Sequence, residues 1–173
     1  DEPQETGPVP CLTPVAERPS TCREGSKGHQ GLVGGCCMET SCGVVLVNLG
    51  AVLLLQYPQG HWDFPKGHVE ASDAGHKGTV RRELKEETGI LDITFVEGFQ
   101  KRTTYSYTHK GRLIEKEVHW YLAETETLDV RLSHEHRGHL WLDWDAAAAQ
   151  LTHEAGLGVL LSAKAHMQRL GRD

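Results

Sequence analysis

Gly67-His68-Val69-Glu70-Ala71-Ser72-Asp73, followed after an eight-residue interval by Arg82-Glu83-Leu84-Lys85-Glu86-Glu87-Thr88-Gly89-Ile90, is the stretch from which the rest of this chain can be organised. Val80, Leu84 and Thr88 recur at four-residue spacing, which predicts a helix over residues 74–88. Ser72 or Asp73 is placed to cap its start, and Gly89 supplies the stop. At about 100° per residue, Glu86, Glu83 and Glu87 fall near 40°, 100° and 140° on the helix wheel, with Val80 and Leu84 just beyond. The three carboxylates therefore border the buried face. Like charges so close together repel, and the C-terminal half of a helix favours cations. A solvated acidic face is one solution for a bare Arg-Glu-Leu-x-Glu-Glu; the other is a bound cation. Hard oxygen donors of this kind suit Mg²⁺, or Mn²⁺, both of which retain water and bind substrate phosphates.

Outward from this stretch the pattern stays regular. Residues 43–47 and 51–57 are β-branched and Leu-rich runs about Asn48-Leu49-Gly50, a hairpin signature. Residues 62–69 read as a strand interrupted at Pro65 and Gly67. Residues 93–107 and 113–124 read as long strands joined through His109-Lys110-Gly111-Arg112, and residues 130–132 and 139–142 as shorter ones. The end is helical, over residues 144–151 and then 154–170, with Leu157, Leu160, Ala163, Met167 and Leu170 along one stripe. Strands and helices mixed without strict βαβ alternation predict an α+β domain, a mixed β-sheet packed between helices.

The 173 residues carry 38% hydrophobic and 24% charged side chains and a formal net charge of −6. That acidic balance argues against bulk nucleic-acid binding through a basic surface. The longest apolar stretch, around residues 51–55, is far short of the roughly 20 residues that span a bilayer. All the aromatics (4 Trp, 4 Tyr, 3 Phe) lie between Tyr57 and Trp144, whereas Pro3, Pro8, Pro10, Pro14 and Pro19 crowd the beginning. Residues 1–37 therefore read as a disordered tail and residues 38–173 as the folded domain. Met38, just before the first strand-like run, offers an alternative start. Cys11, Cys22, Cys36, Cys37 and Cys42 have neither disulfide-framework nor zinc spacing. Asp1, Glu2 and Glu5 stand where a signal peptide would be basic, so a cytoplasmic setting is expected.

The acidic stretch resembles the Nudix box, G-x5-E-x7-R-E-U-x-E-E-x-G-U with U apolar. Its second half matches at every defined position from Arg82 to Ile90. In the first half, Asp73 stands at the box Glu when counting forward from Gly67, and Ala74 when counting back from Arg82; one residue is inserted between the halves. Gly75 and Gly78 offer places to absorb it. Further blocks, Trp62-Asp63-Phe64-Pro65-Lys66-Gly67-His68, Glu97-Gly98-Phe99, His119-Trp120-Tyr121-Leu122-Ala123-Glu124 and Arg131-Leu132-Ser133-His134-Glu135-His136, are similar to the asymmetrical diadenosine tetraphosphate hydrolases within that family.

The resemblance implies an α/β/α sandwich and Mg²⁺-dependent hydrolysis of dinucleoside polyphosphates, diadenosine tetraphosphate to ATP and AMP. It implies that Glu83, Glu86 and Glu87 hold the metal, one of them also drawing a proton from water, with Gly67, Asp73, Arg82 and Gly89 supporting the box. Glu135 is implied as a further carboxylate, ligand or base, and otherwise an exposed loop residue. Lys66 is implied as a polyphosphate contact, with Lys101 and Arg102 extending the cationic strip or remaining solvated on their strand. Tyr105, or Tyr107 on the same strand face, stacks on a base; His134 and His136 contact phosphate or stay neutral. His68 and Glu70 lie near the box entry. The substrate is a nucleotide and the protein a monomer. The same box serves other pyrophosphohydrolases, acting on RNA 5′ ends, diphosphoinositol polyphosphates or nucleoside triphosphates. The insertion and Asp73 also leave open a non-catalytic nucleotide-binding module.

Overall fold

The computed structural model describes residues 37–172. The tail expected over residues 1–37, with Cys11, Cys22 and Cys36, thus lies outside the described residues up to the first strand. The elements run β1 (Cys37–Asn48), β2 (Ala51–Gln56), β3 (Trp62–Asp63), β4 (Lys66–His68), α1 (Gly75–Thr88), β5 (Thr94–Phe95), β6 (Lys101–His109), β7 (Arg112–Glu124), β8 (Gly138–Asp143), α2 (Trp144–Gln150) and α3 (Glu154–Arg169).

β1 and β7 lie parallel at the centre, in register from Cys37 opposite Ile114 to Val47 opposite Glu124. The other edge of β1 carries β4 along residues 41–43 and β2 along residues 47–48, both antiparallel. β8 extends the sheet beyond β2, β3 pairs with the end of β2 (Leu55 and Gln56) on its β1-facing edge, and β6 and β5 pair with the far edge of β7. Alternation along β1 explains the layers. Cys42, Val44 and Leu46 pack with Leu53, Leu55 and the α1 residues Val80 and Leu84. Val45 and Val47 pack with Val52, Leu54 and the α3 residues Val159, Leu160, Ala163 and Met167. Helices cover both faces, so residues 44–47 are apolar without alternation. This is the expected mixed sheet between helices. Trp120 and Trp144 are buried in the α2–α3 layer, and Trp62 packs beside them.

Four local expectations are corrected. Residues 93–107 do not form one strand: the chain turns after Phe95, with Gly98 at φ +80°, and resumes at Lys101. Residues 130–132 do not form a strand either. Arg131 N donates to Thr88 O (2.9 Å) and Ser133 N to Glu87 O (3.1 Å), which satisfies carbonyls left over at the end of α1. The start of α1 is capped by neither Ser72 nor Asp73; Ala74 occupies the cap position without a side-chain hydrogen bond. The α3 stripe is buried through Leu160, Ala163 and Met167, while Leu170 is exposed. The Gly89 stop is as expected, at φ 74° with its N–H on Lys85 O. The hairpin also forms, with Leu49 at φ 44° and Gly50 at φ 81°.

Candidate active site

Arg82 organises the acidic face of α1. Its Nε donates to Asp73 Oδ1 (2.8 Å) and its Nη2 to Asp73 Oδ2 (3.0 Å) and to His68 O (2.7 Å). Nη1 reaches Glu83 Oε1 (2.8 Å), Glu86 Oε2 (3.3 Å) and Glu70 Oε1 (3.6 Å). Asp73 is nearly closed off from solvent and also accepts from Thr79 Oγ1 (2.8 Å) and Glu70 N (2.9 Å). These hydrogen bonds, Arg82's first, outweigh burial and hold its carboxyl well below the usual carboxylate range. Asp73 is therefore the most fully engaged carboxylate partner of Arg82. Between the two halves of the box, α1 begins at Gly75, which takes φ +71°. The irregularity that left a disabled box open does not interrupt the Arg82 network.

The three box glutamates differ in setting. Glu86 is 57% exposed, Glu83 is 15% exposed and Glu87 8%. Glu83 lies directly over Gly67, where a Cβ would collide with its carboxyl group. Glu87 faces His136, with Nε2 3.5 Å from Oε1. Four carboxylates share the Arg82 guanidinium, an excess of negative charge that fits a hard divalent cation. Among the described residues no three acidic, His or Cys side chains close into a metal cage. An open carboxylate set of this kind suits Mg²⁺, which keeps several waters.

Lys66 lies one residue from Gly67. Its ammonium pairs with Asp63 at 2.9 Å and sits 4.2 Å from the centroid of the Tyr57 ring. Burial disfavours its charge, but Asp63 and Tyr57 outweigh it and raise the pKa above the ordinary lysine value. Tyr57 also meets His136 edge-on (4.7 Å, 73°) and stacks on His61 (4.8 Å, 11°), and its hydroxyl donates to Phe64 O. A line of contacts thus runs from Lys66 through Tyr57 and His136 to Glu87.

The other candidates scatter. Tyr105 and Tyr107 pair with Lys116 and Ile114, on the sheet face of Trp120 and away from α1. Tyr105 stays 46% exposed, and Tyr107 donates to Glu39 Oε2 (2.9 Å). Lys101 is turned by the same alternation onto α3, donating to Ser162 Oγ (2.6 Å) and Gly158 O (3.1 Å); it is not brought to the carboxylates. Arg102 pairs with Glu117 on the α1 face. His134 and Glu135 are exposed on the loop that docks on α1, whereas His136 is buried. Sequence reasoning missed Asp63, Tyr57 and Ser133. Asp63 was legible as an opposite charge three residues before Lys66. Tyr57 acts across elements and left no local signal, whereas Ser133 stands three residues before His136, whose ring its hydroxyl meets at 3.1 Å.

Residues 39–162 match the NUDIX domain. The chain belongs to the Nudix family, whose hydrolases generally require a divalent metal. It is 43% identical over 101 residues to the asymmetrical bis(5′-nucleosyl)-tetraphosphatase of Sus scrofa, covering 55% of this chain and 65% of that one. It thus spans less than two thirds of that relative's length. The protein of the same name from Caenorhabditis elegans is 36% identical over 112 residues, covering 63% of this chain and 78% of that one. The crystal structure of a C. elegans Ap4A hydrolase binary complex superposes with a TM-score of 0.66 at 29% identity, covering 75% of this chain and 98% of that one. No helix among the described residues is long and apolar enough to cross a membrane.

Proposed function

We propose that this chain hydrolyses dinucleoside polyphosphates, splitting diadenosine tetraphosphate with water into ATP and AMP. The observation that carries the reading is the adjacency of two opposite charges. Half-buried, cationic Lys66 immediately precedes Gly67, on which Glu83 of the acidic face rests. A polyphosphate needs both: a fixed cation for its oxygens and carboxylates to hold its metal. The relatives' names point to the same substrate class.

In this reading Glu83, Glu86 and Glu87 hold Mg²⁺, with Mn²⁺ as a substitute. A divalent cation supplies charge neutralisation on phosphoryl oxygens and makes water more acidic. Asp73 and Arg82 keep the carboxylates in place, and Gly67 leaves room for Glu83. Lys66, kept charged by Asp63, binds the polyphosphate. Glu135, on the loop beside the acidic face, or one of the box glutamates accepts the proton of the attacking water. His134, exposed on the loop beside the acidic face, contacts phosphate. The protein acts as a cytoplasmic monomer.

The test is incubation with diadenosine tetraphosphate and Mg²⁺ in ¹⁸O-labelled water, with products and label assigned by mass spectrometry. ATP and AMP, with label in one of them, are expected. Glu86→Gln removes an exposed carboxylate, so stability should change by no more than about 0.5 kcal/mol, while turnover falls by about 100-fold or more. Unchanged turnover of this variant at saturating Mg²⁺ refutes the metal role.

A further inference from the structure

His136 is the one buried residue of the segment 131–137, and its side chain is 2% exposed. Three neighbours define the ring. Ser133 Oγ lies 3.1 Å from Nδ1, Glu87 Oε1 lies 3.5 Å from Nε2, and the Tyr57 ring meets it at 4.7 Å. The main chain around it is tied at both ends. Arg131 and Ser133 amides donate to the last carbonyls of α1, His136 N donates to Ser133 O (3.2 Å), and Arg137 N donates to Gln56 O (2.8 Å) at the end of β2.

A core histidine that merely fills space needs apolar contacts and one satisfied nitrogen. Here Nδ1 hydrogen-bonds Ser133, and Nε2 faces the Glu87 carboxylate at 3.5 Å, an ion-pair distance without a hydrogen bond. When the Ser133 hydroxyl donates to Nδ1, the imidazole proton resides on Nε2, whose near neighbour is Glu87 Oε1 at 3.5 Å, in contact but not hydrogen-bonded. A neutral ring suffices for this arrangement, which is the one commonly used to orient a metal-binding group from behind. The adjacent Glu135 is carried on the same tied loop, so whatever fixes His136 also fixes where Glu135 starts from. On the opposite side, Tyr57 joins the ring to Lys66.

We propose that His136 is a positioning residue. With Ser133 setting its tautomer, it holds the Glu87 carboxylate in one orientation and locks the 131–137 loop to α1, so that the cation-binding face and Glu135 act as one rigid unit. This rests on the hydrolase reading above, since it gives Glu87 a cation to receive.

Two replacements separate positioning from packing. His136→Phe keeps a ring against Tyr57 but removes both nitrogens; His136→Gln keeps an N–H near Nε2 and loses the ring. If His136 positions Glu87, the Phe variant loses about 10–100-fold in Mn²⁺ affinity, read on the substrate-free protein by electron paramagnetic resonance of free Mn²⁺, and a similar factor in kcat. KM changes little, because the substrate contacts remain. The Gln variant recovers most of both losses. Ser133→Ala, which leaves backbone and volume nearly intact, shows a smaller loss in the same two readouts and carries the test if His136→Phe does not fold. Wild-type Mn²⁺ affinity in His136→Phe or in Ser133→Ala overturns the inference, as does a Gln variant no better than the Phe variant. If the wild-type protein itself neither binds Mn²⁺ nor hydrolyses diadenosine tetraphosphate, the functional reading and this inference fall together. Wild-type activity with unaffected variants sinks the positioning role alone.

Discussion

Replacing Asp73 by Asn isolates the substituted residue of this box, apart from its one-residue insertion. The side chain is 4% exposed, and its two oxygens accept four hydrogen bonds. Oδ2 takes three, from Arg82 Nη2, Thr79 Oγ1 and Glu70 N; Oδ1 takes one, from Arg82 Nε. An amide put in the same place must turn its NH₂ group toward one set of donors, and the less costly choice is the Oδ1 side. One charge-assisted hydrogen bond then becomes a donor–donor contact, and the rest weaken. A hydrogen bond to a charged group contributes about 1.5–3 kcal/mol, and breaking a buried pair costs about 3–5 kcal/mol. Arg82 keeps Glu83, Glu86 and Glu70 as partners, so the lower part of that range applies, about 2–4 kcal/mol. At about 4 °C per kcal/mol, the thermal midpoint falls by about 8–16 °C.

The pH dependence gives this estimate a sign. The folded Asp73 carboxyl titrates well below its unfolded value, near 3.9. Its stabilising contribution is fully present above about pH 4 and is lost as pH falls through the folded pKa. Melting curves by circular dichroism at pH 7 and at steps below pH 4 should therefore show the wild type and Asp73→Asn converging with acidification. A midpoint at pH 7 within 2 °C of wild type, or a gap that does not narrow in acid, refutes the assignment of Asp73 as the anchor of Arg82.

Two further substitutions probe the site and the fold separately. Gly67→Ala places a methyl group where the Glu83 carboxyl now rests. The obstructed atoms are the end of a flexible side chain, so stability should drop by no more than about 1 kcal/mol while turnover falls by about 10–100-fold; wild-type turnover contradicts the placement of Glu83. Leu49→Asn relaxes a fully exposed residue held at φ 44° in the β1–β2 turn. Urea unfolding should show a gain of about 0.5–1 kcal/mol with an unchanged m-value, and a loss of stability contradicts the strain.

What could be read in advance follows from how local each cause is. The α1 carboxylate arc depends on a 3.6-residue period, and the Gly89 stop on one glycine's freedom to adopt φ 74°, so both were legible in the sequence. The break before Lys101 was not, because residues 93–107 have strand-like character throughout and the chain departs at Gly98. Residues 130–132 looked like a strand for the same reason, but the Arg131 amide, and that of Ser133 just beyond, serve the end of α1, a partner more than forty positions earlier in the chain. Lys101 was misplaced for a different reason. Period-2 counting fixes which residues share its face, but only the register opposite Trp120 shows that this face looks at α3.

Helix α1 goes against local preference along much of its length, and the compensations all come from elsewhere. Its start has no side-chain cap, and its last two turns carry Glu83, Glu86 and Glu87 against the macrodipole with Lys85 as the basic residue of the last turn. Buried Val80 and Leu84 anchor it to the sheet. Arg82 gathers the carboxylates toward Asp73, and the amides of Arg131 and Ser133 take up its final carbonyls. A helix designed for stability alone would place cations at its end. This one concentrates negative charge beside a half-buried lysine and surrounds that charge with fixed donors. Agreement between local preference and fold is the rule for natural sequences, and departures concentrate where function demands them. Here the compensations act at two places on the same face: Arg82 gathers Glu83 and Glu86 toward Asp73, while the 131–137 loop and the Tyr57–Lys66 contact reach the helix end at Glu87 through His136.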